Sequence, residues 1–202
     1  NDLTYNAINH ASGILISNVK NSKISKNAIS INASGTITGL GLGLGSEKVT
    51  IEQNKIVNLH STGDSVTGIS CLSGQITELI IQNNFIGNIS GVGNLYGIYS
   101  NIPSSFPSSN FKIYHNTIKL EDTLDIPSNI ISSAIRISQN INDLDIRNNI
   151  FNNQLFNSSQ SGINSKHYSI YSKATMNQFS HLNNNVYSVS GNQGVLGFIN
   201  NV

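Results

Sequence analysis

The stretch LIIQNNFIGNIS, residues 79–90, decides the fold. Its skeleton is an aliphatic residue, two further residues, an asparagine, one residue and an apolar residue: Ile81, Asn84, Ile86. The skeleton recurs as Ile24/Asn27/Ile29, Ile51/Asn54/Ile56, Ile113/Asn116/Ile118 and Ile146/Asn149/Phe151. Leu3/Asn6/Ile8 and Leu182/Asn185/Tyr187 read as weaker outer copies. The anchor asparagines are separated by 21, 27, 30, 32, 33 and 36 residues. Self-similarity at such periods is the signature of a solenoid.

A second phrase, a small residue followed by an aliphatic one, lies between successive anchors. It is Gly13-Ile14, Gly39-Leu40, Gly68-Ile69, Gly97-Ile98, Ala134-Ile135 and Ser169-Ile170. The small residue precedes the next anchor by 14, 15, 16, 19, 15 and 16 residues. Apolar and polar residues alternate within each phrase, as at Val49-Thr50-Ile51 and Ile135-Arg136-Ile137. That is the period of a strand with one buried face. No stretch of helical length shows a 3.6-residue period. Strands this short need neighbours, so the coils are expected to stack in parallel at about 4.8 Å each. The anchor Asn is expected at a bend, where it tolerates left-handed backbone. If turned inward it forms an amide ladder through Asn27, Asn54, Asn84, Asn116, Asn149 and Asn185.

The two phrases together resemble the right-handed parallel β-helix repeat of the pectin lyase-like superfamily. GISCLSGQITELIIQNNFIGN (68–88) and AIRISQNINDLDIRNNIFNN (134–153) carry the likeness best. It covers essentially the whole chain and implies an all-β, right-handed parallel β-helix of about six to seven coils. That superfamily holds lyases, hydrolases, adhesins and inert spacers, so the likeness leaves activity open.

Composition narrows the classes. Charged residues make up 10%, against roughly 25% in ordinary globular proteins. The net charge of +1 gives no footprint for nucleic acid. No apolar run has the length of a membrane span. The single Cys71 falls in an inward column with Ile16, Leu42 and Ile137 and reads as a small buried hydrophobe. The chain begins in a repeat with neither leader nor cap, and the tail, with Gly197 placed like Gly39, reads as a further coil starting. Residues 1–202 are therefore expected to be one β-helix segment of a longer protein with flanking domains. The Asn, Ser and Gly content fits a secreted or cell-surface bacterial protein. Asp64-Ser65-Val66 and Asp122-Thr123-Leu124 resemble the Asp-Ser/Thr-aliphatic sequon of periplasmic O-glycosylation. That likeness makes Ser65 and Thr123 candidate acceptors and the type IX route a candidate exit.

Insertions interrupt the later coils at 100–110, 120–129 and 152–167, and hold all three prolines. The second and third follow the anchor of consecutive coils, so they are expected to lie side by side. The outward residues of the small-aliphatic strands run Leu15, Gly41, Ser70, Tyr99, Arg136, Tyr171. Tyr99, Arg136 and Tyr171 are candidate carbohydrate ligands, two rings for stacking and a guanidinium for a uronate carboxylate. The same three side chains also read as a self-satisfied cation–π ladder. No catalytic set of the superfamily is present: there is no Asn-Thr-Asp, Asp-Asp, Gly-His-Gly or Arg-Ile-Lys. Asp143 and Asp145 read as solvated strand residues. Glu121, Asp122 and Asp125 share a loop that offers oxygen ligands for Ca²⁺ without the ordered calcium-loop pattern; no other cofactor or metal is indicated. The five histidines share no metal-ligand spacing. The expectation is an adhesive or structural segment holding polysaccharide or a cell-surface glycan. A polysaccharide lyase, a glycoside hydrolase and a passive spacer are the alternatives.

Overall fold

The computed structural model describes residues 2–7 (backbone only), 9–72 and 74–200. The chain winds into a parallel β-solenoid of about six turns. Each turn contributes one strand to each of three sheets. The lead-in sheet holds the strands that run up to an anchor: Lys20–Ser25, Ser46–Glu52, Ile76–Gln82, Ser108–Tyr114, Ile141–Arg147 and Phe179–Asn183. The lead-out sheet holds those that follow it, from Asp2–Ala7 through Phe85–Ser90 to Val186–Val189. The glycine sheet carries the small-aliphatic phrase, from Ala11–Ile16 through Leu95–Asn101 to Gly194–Ile199.

The registers match the repeat. Ile24, Ile51, Ile81, Ile113, Ile146 and Leu182 stack in one column. Ile14, Leu40, Ile69, Ile98, Ile135 and Ile170 stack in another. Together they form one continuous buried core. The small residue has a packing cause. A Cβ at Gly13, Gly39 or Gly68 would lie 2.7, 2.6 or 2.6 Å from Cγ2 of Ile29, Ile56 or Ile86, across the coil. Gly97 meets Ile118 in the same way.

The asparagine ladder runs through the interior. Asn84 is typical: its backbone N–H and its Nδ2 both donate to Asn116 Oδ1 at 3.0 Å. Nδ2 also donates to Ile51 O at 3.0 Å. The pattern repeats from Asn27 to Asn185 across steps of 27, 30, 32, 33 and 36 residues. Each Oδ1 from Asn54 onward thus accepts twice. Only a side-chain amide of this length carries an acceptor and a two-hydrogen donor together.

The left-handed backbone, however, falls one residue before the anchor. Lys26, Gln53, Asn83, His115, Asn148 and Asn184 have φ of 57, 55, 54, 53, 58 and 55°. The anchor keeps ordinary backbone because its task is the ladder. The outermost copy is also corrected. The first strand pairs Leu3 with Ile29 and Asn6 with Asn32. Asn6 therefore sits five positions past the ladder column, and Ile8 lies outside the described residues. At the other end Gly197 pairs with Ile170, not Ser169, one position off the expected frame. The two later insertions do run side by side, Thr123–Leu124 pairing in parallel with Phe156–Asn157.

Candidate functional site

The outward column of the glycine sheet is in register as read: Leu15, Gly41, Ser70, Tyr99, Arg136, Tyr171, continued by Phe198. Tyr99, Arg136 and Tyr171 therefore come together on consecutive coils. Arg136 Cζ lies 4.6 Å from the Tyr171 ring centroid and 5.8 Å from that of Tyr99. Phe198 stacks on Tyr171 at 4.8 Å and 20°. By register, Tyr171 has Arg136 on one face and Phe198 on the other, so neither face is open for a sugar ring.

A second column joins this one. Tyr96 and Tyr168 stand on either side of Ser133 in register. Tyr96 packs against Tyr99 at 4.7 Å, and Tyr168 meets Tyr171 edge-on at 5.0 Å. Tyr96 Oη accepts from Arg136 Nη1 at 3.0 Å, with its ring 5.2 Å from the guanidinium. Burial pushes the Tyr96 and Tyr168 hydroxyls above the usual phenol range; nearby Arg136 opposes this. Strict alternation would put Tyr96 and Tyr99 on opposite faces. The small residue between them turns inward against the lead-out sheet, so Leu95 and Ile98 are both buried and both tyrosines face out. The repeated phrases Tyr96-Gly97-Ile98-Tyr99 and Tyr168-Ser169-Ile170-Tyr171 are the signal from which this could have been read.

The outer edge of the cluster is a half-exposed guanidinium among phenol hydroxyls. Among the described residues no carboxylate lies within 4.0 Å of Arg136; the ion pairs all lie elsewhere. Ser133 Oγ, buried beneath, also has no partner. Such an edge donates several hydrogen bonds and is suited to an oxyanion, a carboxylate or a sulfate.

The other arginine is spent. Arg147 grips Asp145 through Nε and Nη2 at 2.6 and 2.7 Å, and Tyr114 Oη donates to the same carboxylate at 2.6 Å. Asp145 is 7% exposed, so its reading as a solvated strand residue is corrected. Its burial would raise the carboxyl pKa, but Tyr114 and Arg147 overcome this and hold it below the usual range. The Glu121 carboxylate turns to Lys119 Nζ at 2.6 Å. Among the described residues no three His, Cys, Asp or Glu side chains gather as a metal site. Cys71 is buried, and burial pushes its thiol up to about 12. Of the two sequon positions, Thr123 is exposed, whereas Ser65 is half-buried and its Oγ accepts from Asn94 N–H at 3.1 Å.

The chain matches no family model, no curated protein and no solved structure.

Proposed function

We propose that this solenoid is the β-helix segment of an exported bacterial surface protein of the pectin lyase-like type, with an adhesive or structural role. It holds an acidic glycan at the Arg136 face. One observation carries the reading: a half-exposed guanidinium, braced by three tyrosine rings and lacking a carboxylate partner among the described residues. A braced arginine loses little side-chain freedom when it binds. The geometry favours the acid of the glycan over ring stacking, because the Tyr171 faces are occupied. The repeat phrases and the low charge support the surface-protein part of the reading.

The test is retention on immobilised polygalacturonate and on a neutral glucan, with Arg136→Gln beside the wild type. Retention on the acidic polymer alone, lost in the variant, is the expected result. Equal retention of both proteins, or none, sinks the glycan-holding role and leaves a spacer.

A further inference from the structure

The first of the paired insertions walls an open cleft of about 330 Å³. His60 and Ser90, from neighbouring lead-out strands, line its floor; Asp122, Thr123, Leu124, Asp125 and Ile126 line its wall. A run of buried hydrogen bonds holds that wall. Ile126 N–H donates to Asn157 Oδ1 at 3.1 Å, and Asn157 Nδ2 donates back to Ile126 O at 3.0 Å and to Ser128 O at 3.1 Å. Asn157 N–H donates to Gln193 Oε1 at 2.8 Å, and Gln193 Nε2 donates to Asn157 O at 3.0 Å. His167 completes the run, with Nε2 3.2 Å from Gln193 Oε1 and Nδ1 2.8 Å from Ser132 Oγ. Asn153 Nδ2 donates to Ser132 Oγ at 2.8 Å. Ser132, Asn153, Asn157, His167 and Gln193 are all buried.

This network is complete only around a neutral ring. Gln193 Oε1 can only accept, so Nε2 carries the proton. Nδ1 must then accept from the Ser132 hydroxyl, one of whose lone pairs is taken by Asn153. A second proton, on Nδ1, would take the remaining lone pair of that hydroxyl and turn its O–H hydrogen away from the only acceptor it has among the described residues. The groups facing the ring are Ser132 of the glycine sheet, Asn153 of the lead-out sheet, and Gln193 of the turn before the last strand. None of them is charged. The neighbours Lys166 and Tyr168 are the nearest titratable groups in sequence, and Lys166 is exposed. Asp122 and Asp125, on the wall, are exposed to the cleft. Burial holds the His167 pKa below its usual value, with the Gln193 bond opposing.

We propose that His167 is an acid-released latch: its protonation frees the Ile126–Asn157 wall and opens the cleft while the solenoid stays wound. Once released, the ring titrates as a free imidazole near about 6.5. The latch is therefore complete above that pH and weakens below it. Opening takes up one proton, so its equilibrium rises about tenfold per pH unit until the latched ring itself titrates.

Hydrogen exchange at about pH 7.5 and about pH 5, corrected for the intrinsic rate, tests this within and beyond the range of a histidine switch. Protection in 122–130 and 154–165 should fall about tenfold or more at the acid pH, while 46–60 stays protected. In His167→Gln the insertions should exchange alike at both pH values, whether tighter or looser than in the wild type. Three results would overturn the proposal: insertions unchanged at acid pH, the whole solenoid loosening together, or an acid response that survives in His167→Gln.

Discussion

Two ladders run along this solenoid, one inside and one outside. The inner one repeats a single residue from Asn27 to Asn185, and each amide inside the run is bonded on both sides. The outer one changes identity at every step, from Leu15 to Phe198, and holds one cation among aromatic rings. Uniformity marks the column that holds the coils together. Variation marks the column free to meet something else. Removing a rung should therefore cost stability inside and recognition outside.

The largest effect is expected from Asn84→Leu. It orphans the buried N–H and Nδ2 donors of Asn54, at about 1–3 kcal/mol each, for a loss near about 4 kcal/mol. Urea unfolding followed by circular dichroism measures it; a loss below about 1 kcal/mol would mean the ladder is ornament. Asn185→Leu comes next. Asn185 is only half-buried, so water can reach the freed donors of Asn149, and about 1–2 kcal/mol is expected in the same assay. A loss equal to that at Asn84 would erase the distinction between middle and end rungs. Arg136→Gln should cost least, up to about 1 kcal/mol, because it removes the donor to buried Tyr96 Oη and the cation–π contacts, while the Tyr96 hydroxyl keeps its own hydrogen to donate. A larger shift would place the outer ladder with the inner one, as a structural device.

Much of this was legible because the repeat encodes its own register. The aliphatic columns, the amide ladder and the Tyr99–Arg136–Tyr171 stripe all follow from aligning one phrase on the next. What escaped has physical causes. The left-handed residue carries no common identity: Lys26, Gln53 and His115 serve as well as Asn83, because the bonded anchor beside it sets the bend. Asn6 reads as the anchor of an outer copy because a short skeleton recurs by chance in a chain so rich in asparagine. Tyr96 and Tyr168 were missed because the inward small residue breaks alternation within the glycine strands. Asp145 looked solvated because its partners, Tyr114 and Arg147, come from neighbouring coils and the same strand, and nothing in local polarity announces burial.

The inner ladder also has a sense of direction. Every Oδ1 from Asn54 to Asn185 faces the preceding coil, and the backbone N–H and one Nδ2 hydrogen of Asn27 to Asn149 face the following one. The other Nδ2 hydrogen ties Asn54 to Asn185 back to a carbonyl of the preceding coil. The side-chain dipoles therefore add along the axis, as peptide dipoles do in an α-helix, and neighbouring bonds polarise one another. The core is poled like a small electret, negative toward the early coils and positive toward the late ones. A coil is admitted to such a stack in one orientation only. Any number of residues can be looped out between rungs without reversing the sign.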